Sequence, residues 1–298
     1  MTPTISVTGL ERRYRGHQAL TDVTFDIGTP CITGLLGRNG AGKSTLLRIL
    51  AGQEFATAGR VRVFGAGPLE NDAVLRRMIL VREDQTYPDL RVRHAVRAAS
   101  LLYPNWDAEL AGMMLDAYEL SPTRPIKKLS RGMRTALGVT IGLAARAELT
   151  LFDEPYAGLD SVARALFYDQ LLADYTAHPR CIVLSTHLID EAAELLDRVL
   201  VLDRGRLVLD APADDLRGTA TTVTGRAGNV DRLIAGRATL NRRSMGAQTT
   251  AVLVGRLDAR DRELAHHLHL RLEQVTLQQL AAFAAEHHDG SDLLARTP

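Results

Sequence analysis

Two short runs in this sequence carry the residue types and spacing that handle a phosphate chain. The first is Gly37-Arg38-Asn39-Gly40-Ala41-Gly42-Lys43-Ser44, which satisfies G-x-x-x-x-G-K-[ST] at every fixed position. Glycines there let the backbone fold its N–H groups around β- and γ-phosphates, and the helix start that follows adds partial positive charge. Lys43 supplies a point charge to the phosphates, the Ser44 hydroxyl suits Mg2+, and Thr45 offers a second hydroxyl to the α-phosphate. An apolar run precedes the loop and a helix-forming run follows it, which is the context this chemistry needs. A glycine-rich turn with no ligand is the plain alternative.

The second run is Leu149-Thr150-Leu151-Phe152-Asp153-Glu154-Pro155, an apolar strand ending in two carboxylates. Strand ends often carry polar residues, so the pair says little by itself. Downstream of a phosphate loop it gains specific roles: Asp153 holds Mg2+, directly or through water, and Glu154 polarises an attacking water as general base. Adjacent carboxylates are tolerable there because the metal and Lys43 offset their charge.

Between these runs lies Leu129-Ser130-Arg131-Gly132-Met133, and on it the chain resembles the ATP-binding-cassette (ABC) ATPases, whose signature is usually LSGGQ. Further matches follow in the family's order. Tyr14 sits where an aromatic stacks on adenine, and Tyr87-Pro88-Asp89-Leu90-Arg91-Val92 resembles the segment after the Q-loop. Gly158-Leu159-Asp160 matches the D-loop, Ser185-Thr186-His187 the switch histidine, and Asp203-Arg204-Gly205-Arg206 the closing hairpin. The resemblance covers residues 4–215. Counting back from Tyr87-Pro88 puts Glu83 nearest the family's usual Gln, with Gln85 two residues on, and the sequence leaves both open.

The resemblance implies a head-to-tail homodimer with two ATPs between the subunits. Each phosphate loop faces Ser130 and the Gly132 backbone of the other copy, His187 contacts the γ-phosphate, Asp160 links the two sites, and Glu83 helps ligate Mg2+. It further implies a separate membrane-spanning permease, placing the chain in the cytoplasm at the inner face of the membrane. Position 131 carries Arg where the family usually has Gly, and Met133 replaces Gln. Arg131 is read as an added cation near the γ-phosphate held by the other copy. With the Tyr103-Pro104-Asn105-Trp106-Asp107 stretch and an additional C-terminal region, the chain is similar to bacterial exporter-type ATPases of ABC-2-like systems. The alternative function is a soluble ABC ATPase acting on ribosomes or DNA. Such proteins usually have two cassettes or a long coiled-coil insertion, and here there is one phosphate loop and no sustained heptad pattern. A GTPase is excluded by the lack of an Asn-Lys-x-Asp motif.

Positioning these residues requires an α/β fold. Short apolar runs alternate with helical stretches through the first two hundred residues, the pattern of a parallel sheet. Strands are expected at 23–28, 31–36, 60–64, 149–152 and 181–184, a helix at 43–50, and a helical subdomain at about 85–142 broken at Pro104 and Ser121-Pro122-Thr123. A hairpin is expected about Arg204-Gly205. Near Gly218 the chain turns rich in Thr, Arg and Gly, so the ATPase domain is set at 1–218 and an accessory domain at 219–298. The accessory domain reads as βαββαβ plus a helix, with a strand over 268–275 and a capping box from Thr276 and Gln279. The apolar faces of its alternating strand and last helix suggest dimer reinforcement.

Thirty-six basic against 35 acidic side chains leave a formal charge of +1, which argues against nucleic acid as a partner. No apolar stretch approaches the roughly 20 residues that cross a bilayer, and the first residues lack a signal-peptide pattern. Cys31 and Cys181 each open an apolar run and are expected reduced in a core. His266, His267, His269, His287 and His288 lack a Cys or acidic cluster at ligand spacing and are read as exposed. Trp106 is expected in the core of the helical subdomain or at a partner interface, and Arg12, Arg13 and Arg15 on a solvated face.

Overall fold

A computed structural model describes residues 2–28 and 30–286. Its central feature is a six-stranded sheet whose inner strands are apolar along their whole length. β3 (Cys31–Leu36), β6 (Leu149–Asp153) and β7 (Cys181–Thr186) are buried almost throughout, as parallel strands covered on both faces must be. With β5 (Met78–Arg82), β8 (Arg198–Asp203) and β9 (Arg206–Pro212) the order is β5-β6-β7-β3-β8-β9. All neighbours are parallel except the β8–β9 hairpin. The expected hairpin is present, turning on Arg204 and Gly205, both at positive φ.

β1 (Ile5–Tyr14), β2 (His17–Ile27) and β4 (Ala58–Val63) form a separate antiparallel sheet in the order β2-β1-β4. α1 (Lys43–Leu50) packs between this sheet and the central one, burying Leu46, Leu47, Ile49 and Leu50. After the short α2 (Asp72–Leu75), the helical layer comprises α3 (Val92–Leu102), α4 (Ala108–Ala117) and α5 (Arg131–Ala144). Its two breaks fall where expected. Asp107 caps α4 by accepting from Leu110 N at 2.9 Å, and Ser121-Pro122-Thr123 lies between α4 and α5. Trp106 is partly buried against the core. α6 (Ser161–Ala177) covers β6 and β7, with Phe167 edge-on to Phe152 at 5.4 Å between centroids.

Beyond the short α7 (Ile189–Ala192) and α8 (Ala213–Leu216) comes a third sheet, built from β10 (Ala220–Arg226), β11 (Thr239–Met245), β12 (Gln248–Val254) and β13 (Arg271–Gln274). Its order is β11-β12-β10-β13, all antiparallel, with α9 (Ala227–Ile234) and α10 (Ala259–His267) as the connections. This is the split βαβ arrangement of a ferredoxin-like unit.

Several expectations are corrected. Sequence reasoning does not foresee β1, β5 or α6. The strand expected over 268–275 is shorter, because α10 runs through His266 and His267 and His269 turns the chain at φ 51°. Leu268 and Leu270 alternate because both enter the core beneath this sheet, not because they share a strand face. Among the described residues no three His, Cys, Asp or Glu side chains gather as a metal site, and His287 and His288 lie outside those residues. Cys31 and Cys181 sit at matched positions of β3 and β7, Cys181 buried and Cys31 half-buried.

The last helix, α11 (Leu277–Glu286), opens with the expected capping box: Thr276 N donates to Gln279 Oε1 at 3.0 Å and Gln279 N to Thr276 Oγ1 at 3.3 Å. Its buried Leu277, Leu280, Ala281 and Ala284 pack on β8, β9 and α7, joining the core of the first two hundred residues. The apolar face expected to reinforce a dimer is therefore spent within the chain. Leu280→Ala should cost about 2–5 kcal/mol, against less than about 0.5 for the same change at Leu264, which is 37% exposed. Urea unfolding of the two variants checks the contrast.

Candidate active site

Register brings the site together. Leu36 of β3 pairs with Thr186 of β7, Ser185 of β7 with Asp153 of β6, and Asp153 with Arg82 of β5. The residues that follow, Gly37, His187, Glu154 and Glu83, consequently emerge side by side at the carboxyl edge of the sheet, where open α/β sheets bind ligands.

The loop from Gly37 to Gly42 joins β3 directly to α1. Gly37 has φ 148°, and a Cβ on it would stand 2.3 Å from Leu202 O, so no other residue fits. Gly40 and Gly42 also have positive φ, while Arg38, Asn39 and Gly40 are exposed and Ala41 is buried. Lys43 is 5% exposed and curls back over the loop, donating to Gly37 O at 2.7 Å. Its Nζ also lies 3.4 Å from Glu154 Oε1. Ser44 and Thr45 lie in the first turn of α1, with the Ser44 hydroxyl near enough to Asp153 to favour its ionised form.

Burial pushes the Asp153 carboxyl above its usual range, opposed by the Ser44 hydroxyl and by Ser185, whose Oγ donates to Asp153 Oδ1 at 3.0 Å. Glu154 adopts φ 50°, a left-handed conformation that costs a non-glycine residue about 1–3 kcal/mol. Its backbone N–H donates to Ser185 O at 3.2 Å, and its side chain ends against three groups. Lys43 faces Oε1, while the Tyr156 hydroxyl and His187 Nδ1, at 2.7 Å, meet Oε2. Sequence reasoning assigns Tyr156 no role. Burial and the Glu154 carboxylate push its phenol far above the usual value, so it stays protonated. A hydroxyl two residues beyond the acidic pair is the one signal that marks it.

Ser130, Gly132 and Asp160 lie apart from this constellation. Ser130 caps α5 by accepting from Met133 N at 3.2 Å, and Asp160 caps α6 by accepting from Ala163 N at 2.8 Å. Neither bonds to the chain's own phosphate loop among the described residues. Gly132 packs so closely that a Cβ would stand 2.2 Å from Gly158 O, which ties the start of α5 to the turn before α6. Glu83 pairs with Arg131 rather than with Asp153 or Ser44, and Gln85 is half-buried in the same hollow. Tyr14, half-buried, donates to Glu54 Oε2 at 3.0 Å and carries the Arg12 guanidinium 4.4 Å above its ring. Arg12 also pairs with Glu54 at 2.6 Å, so it is less free than a solvated face requires. A base stacked on Tyr14 must take the opposite face of the ring.

Residues 20–157 match the ABC transporter family. The chain is 32% identical over 224 residues to the Nod factor export ATP-binding protein I of Ralstonia nicotianae (strain ATCC BAA-1114 / GMI1000), covering 72% of this chain and 69% of that protein. It is 35% identical over 217 residues to the aliphatic sulfonates import ATP-binding protein SsuB 1 of Nocardia farcinica (strain IFM 10152), covering 69% and 80%. A solved ATP-binding subunit of an ABC transporter superposes with a TM-score of 0.64 at 25% identity, covering 72% of this chain and 91% of that one. The chain belongs to the ABC transporter ATP-binding proteins: it is an ATP-binding, ATP-hydrolysing subunit that works with a membrane-spanning component.

Proposed function

We propose that this subunit hydrolyses MgATP as a head-to-tail homodimer and drives export, held at the inner face of the membrane by a separate permease. The observation that carries this reading is the convergence of Lys43, Glu154 and His187 at one sheet edge. Residues 1–218 form the hydrolytic unit in this reading and 219–298 an accessory unit anchored by α11.

Loop N–H groups from Gly37 to Gly42 and the Lys43 ammonium grip the triphosphate, Thr45 meets the α-phosphate and Tyr14 stacks on adenine. Glu154 takes a proton from water, whose oxygen attacks the γ-phosphorus, and His187 contacts the γ-phosphate. Ser130 and Gly132 of a second copy close the site, and Asp160 bridges the two sites. Ser130 and Asp160 cap rigid helices, which supports their use as fixed docking points. The Ser44 hydroxyl and Asp153 carboxylate are hard oxygen donors, and Asp153 is a carboxylate that burial alone disfavours, so the pair fits Mg2+. Glu83 is the third candidate donor once released from Arg131. Bound there, Mg2+ would offset the negative charge of the phosphates. The exporter assignment rests on the resemblance to exporter-type ATPases and on relatives such as the Nod factor export subunit. The ribosome or DNA alternative draws no support from these relatives.

Glu154→Gln should lower ATP turnover by at least about 100-fold while leaving a stable ATP-bound dimer. Size-exclusion chromatography with MgATP is the check, and a chain that stays monomeric contradicts the dimer. Asp153→Asn should abolish Mg2+-dependent turnover yet raise the melting temperature of the nucleotide-free protein at pH 7. The sign follows from the raised carboxyl: the fold disfavours the ionised form, so stability is present below the unfolded carboxylate range and is lost as pH rises through the folded value. The gain over the natural chain should vanish as pH falls and both side chains become neutral, which melting curves across pH would record.

A further inference from the structure

Tyr156 is 3% exposed and hydrogen-bonds Glu154, Thr186 and His187. Thr186 Oγ1 donates to its oxygen at 2.9 Å and the His187 backbone N–H donates at 2.8 Å. Thr186 Oγ1 itself accepts from Leu188 N at 2.9 Å, which leaves its own proton for Tyr156. Both lone pairs of the phenol oxygen are thus occupied, and its one proton must go outward.

Two acceptors compete for that proton, Glu154 Oε2 and His187 Nδ1, the latter 3.1 Å away. Donor accounting decides between them. His187 Nδ1 lies 2.7 Å from Glu154 Oε2, and an ionised carboxylate only accepts, so Nδ1 carries a hydrogen. A nitrogen bearing hydrogen in the ring plane accepts nothing, so the Tyr156 proton points at Oε2. Oε2 then receives two donors, which fill its lone pairs. Among the described residues Oε1 has one polar neighbour, the Lys43 ammonium, at 3.4 Å beyond ordinary hydrogen-bond length.

We propose that Tyr156 is a positioning residue for hydrolysis: with His187 it pins Glu154 Oε2, so that Oε1 is the oxygen that accepts the proton of the attacking water. This rests on Glu154 being the general base. In the step, the water O–H bond breaks with its proton going to Oε1, and the oxygen bonds to the γ-phosphorus. The bond from that phosphorus to the bridging oxygen breaks, its electron pair staying on ADP. Lys43 leaves Oε1 for the triphosphate, which frees the base when substrate is present. Tyr156 matters all the more because Glu154 stands on a left-handed backbone at φ 50°, so its carboxylate is aimed by these contacts rather than by ordinary strand geometry.

Tyr156→Phe in the full chain keeps the ring and removes the hydroxyl. The expected result is a kcat for ATP lower by about 10- to 100-fold, the scale of one lost hydrogen bond to a charged group, with KM and nucleotide affinity changed less than about twofold. In a Glu154→Gln background the same substitution should leave the residual single-turnover rate unchanged, because the carboxylate it aims is gone. An unchanged or faster kcat, a parallel change in KM, or an equal loss in both backgrounds overturns the proposal. Glu154→Gln that retains turnover instead defeats the general-base reading, a separate failure visible in that variant alone. If Tyr156→Phe does not fold, difluorotyrosine at position 156, a stronger donor of the same shape, should change kcat at constant KM, and no change overturns the idea.

Discussion

The pairing register of four parallel strands governs this molecule. A slip of one residue between β6 and β7 would turn Asp153 and Ser185 to opposite faces of the sheet and separate the Glu154 and His187 that follow. Burial on both faces prevents the slip. β6 and β7 are covered throughout, and Phe152 against Phe167 gives β6 a large aromatic that fits only one position. Catalytic geometry is therefore stabilised by ordinary core packing well below the sheet edge.

At that edge the balance reverses. Lys43, Asp153 and Glu154 are all nearly buried, and each carboxylate leans on a partner that is incomplete without substrate. Burial disfavours the ionised Asp153, and Glu154 adds backbone strain. These costs, of order 1–3 kcal/mol for the backbone term, are small against the strands beneath. They leave a centre whose charges ATP and, in the proposed reading, its Mg2+ would offset.

Much of this was legible in the sequence because phosphate chemistry needs residues close together along the chain. The Gly37–Ser44 loop announces itself by spacing, the Asp153–Glu154 pair gains meaning downstream of it, and the apolar runs of β3, β6 and β7 place both on a parallel sheet. Legibility ends where a role depends on contacts across the chain. Tyr156 is two residues from Glu154, yet its bonds to Thr186 and His187 follow only from strand order. β5 and α6 escape notice because Met78–Arg82 is only five residues long and the apolar residues of α6 form no clean stripe. Leu268 and Leu270 mislead because alternation can come from a turn that buries both side chains. Likewise the apolar stripe of α11 is plain in sequence, but its docking site on β8 and β9 is not.

Arg131, a departure from the family pattern at the signature, and Glu83, one of the two Q-loop candidates, turn out to be partners. Their side chains are 64% and 41% exposed, and a solvent-exposed pair contributes about 0–1 kcal/mol. A contact of that size orients two loops without locking them. The Gly132 approach to Gly158, in contrast, is a backbone contact with no slack, so the start of α5 and the turn before α6 move together. In the proposed dimer, a second copy presenting phosphate oxygens would draw Arg131 from Glu83 at little cost while Ser130, Gly132 and Asp160 keep their mutual spacing. On that proposal Glu83, just past the end of β5 and so beside the strand of Asp153, would have its carboxylate unpaired. A weak ionic contact placed over a rigid backbone contact would thus let approach of the proposed partner copy change the surroundings of Glu83 without disturbing the surface that made the approach.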